Sequence, residues 1–486
     1  MVKTPERRAP AASAHTHAEG EDPIRWRILA VLIVTMFMTL INVSIVNVAL
    51  PSIGRGLGAT PADLQWVLSG YALTFGVILI AAGRAGDIMG RGGIFVAGVA
   101  IFTLSSVAAG MAPSAEWLNI ARVTQGIGSG LLNPQGLGMI QQYFRGAERG
   151  RAFGQLGIAV GLSVAIGPVL GGLLIELGGP NLGWRLTFLV NVPIGIAAIV
   201  LALKWFPRPL IRRFPSLPVA LRDLDAIGAL LLGLALLALL IPFVEARNTP
   251  ILWLLLPCAA ALTALWLWWE RRYQRLGLDP MFDLQIFRHS SFRNGILVIA
   301  FFFMGMPSLW VLVALYVQEG GGGTALDAGL IGVPSSLIGA YAAHWAGSRV
   351  ARYGRKMVIG GMLVTLIGVV LCVLVILLHE VGQVSLWWLA GAMCFVGVAQ
   401  GLVISPNQTL TLEQVPLDYA GSSGGIMQTG QRIGTAVGFA VITAATYATL
   451  AVSSWALAVT AGLGLIALMV LLGMAVAYKD LRARKA

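Results

Sequence analysis

The sequence predicts an all-α integral membrane protein. Its fourteen transmembrane helices are expected to form two pseudo-symmetric six-helix bundles, with two helices inserted between them. Of its 486 residues, 57% are apolar and only 11% are charged, whereas about a quarter of an ordinary soluble domain is charged. Fourteen helices of roughly 20 residues would use about 280 residues, which matches the apolar content. A soluble multidomain enzyme is excluded, because it could not hide so much apolar surface from water.

Apolar segments recur along the chain after a polar N-terminal stretch. Residues 1–25 are rich in Ala, Pro, His and charge and predict a disordered cytoplasmic tail. The first apolar segment is too long and begins too late for a cleaved signal peptide. The predicted spans are 27–49, 65–83, 93–111, 116–139, 152–175, 185–205, 226–244, 251–269, 295–317, 327–346, 357–378, 387–409, 421–447 and 455–477.

The basic residues predict the orientation. An even number of spans puts both termini on one side of the membrane. Of the 33 Lys and Arg residues, 28 fall on that side, Arg55, Arg185 and Arg247 fall on the other, and Arg122 and Arg432 lie within spans. Because cytoplasmic loops carry the excess of Lys and Arg, both termini are predicted to be cytoplasmic, in the plasma membrane. The net charge of +12 therefore indicates basic loops and no nucleic-acid partner.

An internal repeat divides the chain. Three residues that follow span 2 recur 264 residues later, after span 10, as the pairs Gly83 and Gly347, Gly90 and Gly354, and Arg91 and Arg355. Parallel duplication is typical of secondary transporters, whose substrate site lies between the halves near mid-membrane. The predicted organisation is a tail at 1–25, an N-terminal bundle at 26–205, a cytoplasmic loop at 206–225, a two-helix insert at 226–270, a cytoplasmic loop at 271–294, a C-terminal bundle at 295–478 and a tail at 479–486.

The loop after span 2 is the first candidate for function. It reads Gly83-Arg84-Ala85-Gly86-Asp87-Ile88-Met89-Gly90-Arg91. Glycines permit a tight turn and a close approach of helices, and Asp87 can pair with Arg91 or cap a neighbouring helix N-terminus. Gly83, Asp87, Gly90 and Arg91 are therefore predicted to form a conformational latch. The alternative is a solvated loop that only carries cytoplasmic charge.

Span 4 contains Arg122, with Gln125 beside it, and continues at four-residue spacing through Gly126, Gly130 and Pro134. An arginine within a span costs roughly 2.5–3.5 kcal/mol on insertion scales, so it normally faces protein or water. The sequence therefore favours an interior role for Arg122. The alternative is a side chain that reaches along the helix to the membrane interface.

Spans 5 and 13 carry small residues at four-residue spacing, which lets another helix approach closely. In span 5 the string contains Gly161, Gly167, Pro168, Gly171 and Gly172, and Pro168 is expected to bend the helix. In span 13 one stripe holds Gly430, Gly434 and Gly438, and a second holds Gly424, Gln428 and Arg432. The polar stripe is predicted to face a central cavity. Ordinary helix packing is the alternative for both spans.

Taken in chain order, these motifs resemble the major facilitator superfamily, and in particular its fourteen-helix drug:proton antiporter branch of multidrug and antibiotic efflux proteins. The resemblance covers nearly the whole chain after residue 25. It implies the major facilitator fold and a rocker-switch exporter that exchanges substrate for protons. The motifs that carry it are Ile45-Val46-Asn47-Val48-Ala49-Leu50-Pro51, Gln65-Trp66, the Gly83–Arg91 loop, Arg122-Val123-Thr124-Gln125-Gly126, Gly161 through Gly172 (similar to the fifth-helix antiporter motif), Trp184-Arg185, and Asn191-Val192-Pro193-Ile194-Gly195.

Two positions depart from that branch, and both bear on proton coupling. The branch usually has an Asp in helix 1 where this chain has Asn42, and a basic residue after the loop Asp where this chain has Ile88. Asn42 cannot titrate, and no acidic residue lies in the middle of a predicted span. The remaining candidates for proton coupling are Asp87, Arg122, Glu116, Glu176, Glu319, His344 and Glu413. For His344, within span 10, a structural hydrogen-bonding role is the alternative.

The interior charges also predict the class of substrate. Exporters of lipophilic cations gain from a buried counter-charge, whereas Arg122 and Arg432 make this interior positive. Neutral, zwitterionic or anionic amphiphiles are therefore expected in preference to purely cationic ones. Side chains that can supply hydrogen bonds or adaptable contact in a substrate cavity are Asn42, Asn47, Gln65, Trp66, Tyr71, Gln125, Gln135, Asn407, Gln408, Gln428, Gln431 and Arg432.

Other classes of function have little support. The sequence shows no metal-ligand cluster, no suggestive Ser-His-Asp order and no G-x-x-x-x-G-K-[ST] phosphate loop, so neither an enzyme nor an ATP-driven pump is expected. No catalytic residue, metal or cofactor is predicted. The predicted partners are an amphiphilic small molecule, protons and membrane lipids, with the chain acting as a monomer. A second hypothesis is a transporter or flippase of lipid-like amphiphiles that is not strictly coupled to protons.

Overall fold

Fourteen α-helices make up most of the chain that the structure describes. The computed structural model describes residues 23–211, 224–245, 249–276, 278, 280 and 284–483 and contains no β-strand in those ranges. The helices are α1 (Pro23–Leu57), α2 (Pro61–Met89), α3 (Arg91–Gly110), α4 (Ala115–Tyr143), α5 (Gly146–Leu189), α6 (Asn191–Trp205), α7 (Ala226–Glu245), α8 (Leu255–Arg275), α9 (Ser290–Leu315), α10 (Ala325–Tyr353), α11 (Arg355–Glu380), α12 (Trp388–Thr411), α13 (Ala420–Leu450) and α14 (Trp455–Ala483).

The predicted all-helical membrane class is confirmed. Each predicted span coincides largely with one helix except 185–205, which begins in α5 and continues through α6. In the described ranges, thirteen segments are long and apolar enough to cross a membrane. The helix missing from that set is α4. Its polar side chains, including Arg122, Gln125, Asn133, Gln135 and Gln141, are buried inside the protein. A helix that hides its polar residues among its neighbours can lie in a membrane without being apolar throughout.

The helices run beyond several predicted boundaries. Helix α14 continues to Ala483, so most of the predicted tail at 479–486 is helical. Helix α8 runs to Arg275, and a short 3-10 turn at Leu284–Arg288 precedes α9, within the predicted loop 271–294. The predicted disordered tail falls almost entirely on residues 1–22, which lie outside the described residues, as do 212–223 of the loop 206–225.

One kink sets the course of the chain between spans 5 and 6. Within α5, Gly179 has φ 66° and ψ −169°, which is not helical. A side chain at this positive φ would strain the backbone, so glycine suits the position. The kink divides the long helix into a segment that ends at Gly179 and a segment, Asn181–Trp205, that continues through α6 as one apolar span.

The helices form two halves and an insert. Helices α1–α6 pack on one another, as do α9–α14, while α7 packs on α8, α2 and α13. Helix α1 begins, and α14 ends, at the same end of the bundle, which is called the terminal end below. There the Arg25 guanidinium pairs with Glu148 at the start of α5, with Nη1 2.8 Å from Oε2. The Asp480 carboxylate near the end of α14 meets Arg355 at the start of α11.

The glycine stripes of α5 and α13 show where the halves meet. On α5, Gly150 and Gly154 lie against α10, whereas Gly167 lies against Ser44 of α1. On α13, Gly421 lies against Gly83 of α2, whereas Gly434 lies against Ala300 of α9. Each helix thus contacts the other half near the terminal end and its own half further along. The two halves touch at the terminal end and separate towards the opposite end.

Candidate functional site

Arg122 lies at the centre of a buried polar cluster in the N-terminal half. Its side chain is only 1% exposed. Its Nε donates to Val67 O at 2.7 Å, and its Nη1 donates to Asn42 Oδ1 at 2.8 Å and to Gln125 Oε1 at 2.5 Å. All three acceptors are neutral. The guanidinium is therefore solvated by the protein while its positive charge stays uncompensated by any of these partners.

Two aromatic rings connect Arg122 to the other half of the molecule. The Arg122 guanidinium lies 4.3 Å from the centroid of the Tyr71 ring, and the Arg432 guanidinium lies 4.3 Å from that of Phe75. Tyr71 and Phe75, one turn apart on α2, have ring centroids 6.0 Å apart. The Tyr71 hydroxyl is 2.8 Å from Ser129 Oγ, which fixes its ring. Two cations are thus held on aromatic faces, one in each half.

The stripe of α13 that holds Arg432 faces the interior between the halves. Two turns before Arg432, Gly424 lies against Pro134 and Leu137 of α4. The amide nitrogens of Gln428 and Gln431 are buried and have no hydrogen-bond partner within the described residues. Buried amides are normally hydrogen-bonded, so these donors are open to a ligand or water. The sequence prediction of an inward polar stripe on α13 agrees with this placement.

Asp87 joins the two halves at the terminal end. Its side chain is 1% exposed. Its Oδ1 accepts hydrogen bonds from Arg91 Nη2 at 2.8 Å and from the Gly421 amide at 2.8 Å, and its Oδ2 accepts from the Ser422 amide at 2.9 Å and the Ser422 hydroxyl at 2.8 Å. Gly421 and Ser422 are in the first turn of α13. A carboxylate at a helix N-terminus is stabilised by the unpaired amides and the helix dipole.

Arg91 extends this contact to further elements. Its Nη1 donates to Gln142 Oε1 at the end of α4 at 2.6 Å, and its Nη2 donates to Leu417 O before α13 at 2.5 Å. Nearby, Gln141 Nε2 donates to Leu412 O at 3.1 Å and to Val415 O at 2.9 Å. The structure therefore places Asp87 against both partners named from sequence, Arg91 and a helix N-terminus, and that helix belongs to the other half.

The second copy of the repeat is built differently. Arg355, the counterpart of Arg91, donates from Nε to Asp480 Oδ2 at 2.7 Å, and both side chains are fully buried. It also donates to Asn407 Oδ1, and Asn294 Nδ2 donates to Asp480 Oδ1 at 3.1 Å. The position that corresponds to Asp87 is Ala351. In the second copy the arginine and Asp480 thus join four helices of their own half, α9, α11, α12 and α14.

The other predicted site residues are spread over the molecule. Glu116, Glu176, Glu319, His344 and Glu413 are exposed, as are Asn47 and Trp66, whereas Gln65 is partly buried and Gln408 is buried. Gln135 donates to Ala82 O on α2, and Asn407 belongs to the Arg355 network. In the antiporter motif, Gly161 lies against α10 and Gly171 against α1, Pro168 is exposed and Gly172 has open space around it.

Sequence reasoning missed several participants. Nothing in the sequence distinguished Phe75, Asn294 or Asp480. An aromatic residue in an apolar span and a polar or acidic residue just outside one are both common. The sequence offered one indication for Arg355: its repeat has Ala351 where the first repeat has Asp87, so Arg355 needed a different acidic partner. No group of three or more His, Cys, Asp or Glu side chains that could hold a metal occurs among the described residues.

The comparison with known families identifies the family of this chain. The Major Facilitator Superfamily model matches residues 32–439, which run from α1 into α13.

The chain belongs to the major facilitator superfamily.

Two named relatives and one solved structure support this assignment. The chain is 33% identical over 433 residues to the probable actinorhodin transporter of Streptomyces coelicolor, covering 87% of this chain and 73% of that protein. It is 32% identical over 417 residues to the multidrug resistance protein Stp of Mycobacterium tuberculosis, covering 84% and 73%. The human organic anion transporter MFSD10 has the same fold, with a TM-score of 0.67 at 16% identity, covering 93% of this chain and 99% of that one. The protein is therefore a multi-pass membrane transporter of the major facilitator type.

The contact between α5 and α10 gives a prediction for this major facilitator transporter. A Cβ at Gly347 would collide with the backbone of Gly150 and Gly154, whereas a Cβ at Gly360 on α11 would meet no atom within 4 Å. Overpacking of this kind costs about 1–3 kcal/mol. We therefore expect Gly347→Ala to lower the transport rate about ten-fold and Gly360→Ala to leave it unchanged, measured in proteoliposomes at equal protein content. Equal rates for the two variants would contradict the idea that the terminal end closes through this contact.

Proposed function

We propose that this transporter exports amphiphilic small molecules across the plasma membrane in exchange for protons, by alternating access, with its terminal end in the cytoplasm. The observation that carries the proposal is the polar interior between two halves that touch at the terminal end and separate towards the other. A substrate that enters from one side would leave on the other when the halves rock about this interior. The names of the two relatives above, an actinorhodin transporter and a multidrug resistance protein, support a small-molecule cargo.

Asp87 is the residue proposed to link protons to this motion. Its carboxylate accepts hydrogen bonds from α13 and from Arg91, and a protonated carboxyl accepts fewer and weaker bonds. Protonation of Asp87 would therefore weaken the closed terminal end and favour its opening. The driving force is sufficient, because one charge moved across 100 mV is worth roughly 2.3 kcal/mol, or a gradient of about 50-fold for a neutral substrate.

A reconstituted system tests the proposal. Proteoliposomes would be given an inward acid gradient or none, and the movement of a lipophilic cation, a neutral antibiotic, an anionic aromatic amphiphile and a fluorescent lipid would be recorded. We expect the neutral and anionic amphiphiles to move against their gradient only when the proton gradient is imposed. Transport of these compounds at the same rate and to the same level without the gradient would overturn the coupling.

One observation favours the alternative of an uncoupled lipid transporter. The position where related exporters usually have an acid is Asn42, and it is already hydrogen-bonded to Arg122. Within the part of the chain that the structure describes, no acidic side chain is hydrogen-bonded to Arg122. Movement of the fluorescent lipid alone, with or without the proton gradient, would favour this alternative over the export of small molecules.

A further inference from the structure

We propose that Arg432, Gln428 and Gln431 bind an acidic oxygen group of the transported amphiphile, either a carboxylate or an ionised phenol or enol. The transporter would then be selective for organic anions. This inference rests on the proposed export function, because it names the class of cargo that the interior of the transporter recognises.

The hydrogen-bonding edge of Arg432 is unused. The Arg432 Cζ lies over the Phe75 ring, 4.3 Å from its centroid, and the start of the Arg432 side chain lies against Gly76. A guanidinium has five N–H donors in its own plane, and a contact between its carbon and a ring centroid satisfies none of them with an oxygen acceptor. Arg432 makes this contact with the Phe75 ring. It forms no hydrogen bond or ion pair with any other described residue.

Arg122 does not offer the same opportunity. Its Nε and Nη1 already donate to Val67 O, Asn42 Oδ1 and Gln125 Oε1, and its side chain is 1% exposed. Arg432, in contrast, is only partly buried. Of the two interior arginines, Arg122 therefore stabilises the N-terminal half and Arg432 is left for a ligand.

Two amide donors stand beside Arg432. Gln428 is one turn before it on the same face of α13, and Gln431 is its neighbour. The Nε2 atoms of both are buried without a partner, and Gln428 is 7% exposed. A carboxylate has about four lone-pair sites and accepts bidentate hydrogen bonds from a guanidinium. One such group would satisfy Arg432 and at least one of the two amides together.

The site also lies at the right place for cargo. Along α13, Gly425 still contacts Leu79 and Ile80 of α2, while Gly434 already contacts Ala300 of α9. Gly430 also contacts Ile296 of α9, whereas Arg432 lies over Phe75 of α2, so residues 428–432 are at a level where α13 lies between the two halves. An unpaired cation here is costly in a membrane interior, and an anionic group that enters from the open side removes that cost.

Equilibrium binding to the full-length protein in nanodiscs tests the inference. Three tritiated probes share one aromatic body and differ in charge: pyrenebutyrate, its primary amide and pyrenebutylamine. Counts from empty nanodiscs are subtracted to remove partitioning into lipid. We expect the carboxylate to bind at least ten-fold more tightly than the amide, and the amine to bind most weakly. Equal affinities for carboxylate and amide, or no specific binding of either, would overturn the inference.

Variants locate the binding group. We expect Arg432→Gln to weaken carboxylate binding about 10- to 100-fold, since hydrogen bonds to charged groups contribute about 1.5–3 kcal/mol, and to leave amide binding within about two-fold. Gln428→Leu should weaken carboxylate binding less, and it serves as a second variant if Arg432→Gln does not fold. The control is Arg349→Gln, which removes an exposed arginine that lies 4.7 Å from the Trp345 ring. An unchanged carboxylate affinity in Arg432→Gln would also overturn the inference.

The same protein separates this inference from the proposed function. Carboxylate-selective binding without gradient-driven movement in proteoliposomes would uphold the binding site and reject coupled export. Gradient-driven movement of the amide and the carboxylate with equal efficiency, and equal binding of the two, would uphold export and reject the anion site.

Discussion

Asp87→Asn is expected to lower the transport rate by about 100-fold. The substitution removes the charge that Arg91 and the N-terminus of α13 share, and it places an amide N–H where Ser422 N–H now donates. Each hydrogen bond to a charged group contributes about 1.5–3 kcal/mol, so the loss of even one or two would shift the closed state by about two orders of magnitude. The terminal end would then stay open, and the cycle would stall before its return step.

Two measurements check this expectation. The first is the initial rate of transport in proteoliposomes. The second is the distance between spin labels at Arg55 and Val452, which lie in different halves at the end opposite the termini, with Cys258, Cys372 and Cys394 replaced by serine. The label distance should shorten in Asp87→Asn, because the open end closes when the terminal end opens. Asp418→Asn is the matched control, since Asp418 is an exposed acid just before α13. Loss of transport in both variants would show that the effect is only one of net charge.

Asp480→Asn is expected to destabilise the protein more than any other single change of charge considered above. It removes the negative charge that lies 2.7 Å from the Arg355 guanidinium, where both side chains are fully buried. Removal of one partner of a buried pair costs about 3–5 kcal/mol, which corresponds to a fall on the order of 5–10 °C in the melting temperature. Thermal unfolding of the detergent-solubilised protein, followed by tryptophan fluorescence, would measure it.

A matched ion pair and a double variant serve as controls. Glu148→Gln breaks the Arg25–Glu148 pair, whose side chains are 22% and 37% exposed, and exposed pairs are worth at most about 1 kcal/mol. The double variant Arg355→Gln with Asp480→Asn should recover part of the lost stability, because no charge is then buried alone. If Glu148→Gln lowered the melting temperature as much as Asp480→Asn does, burial would not be the cause.

The fold could be predicted from the sequence because its signals are local. Apolar length sets each helix, and the recurrence of Gly83, Gly90 and Arg91 at 264 residues' distance reveals the two halves. The pairing of Asp87 with Arg91 could be predicted because the two residues are close in sequence, on either side of the break at Gly90 between α2 and α3. The partners of Asp87 on α13 lie more than 330 residues away, and only the packing of the two halves brings them to it.

The interior site was predicted in part. Arg122 and Arg432 stood out, because a charge within an apolar span needs a polar environment. Which of the two is satisfied depends on Asn42, Gln125 and the Val67 carbonyl, which come from three helices, and no spacing along the chain gives that. The role of Asn407 could not be predicted for the same reason. An asparagine in a span can line a cavity or accept a hydrogen bond from a buried arginine, and only the structure shows that Asn407 does the second, with Arg355.

The glycine contact between α5 and α10 has a consequence for the speed of the conformational cycle. Where Gly150, Gly154 and Gly347 meet, backbone lies directly on backbone. Glycine and alanine have no rotamers to order, so the joining of these surfaces costs almost no side-chain entropy. The atoms nearest to Gly154 and Gly347 across this contact are backbone atoms, which have no rotamer to change when the helices part, whereas the Val350 side chain lies against Gly150. At this surface, the helices can part and rejoin with little reordering of side chains, and the hydrogen bonds around Asp87 supply directional contacts that keep the terminal end closed.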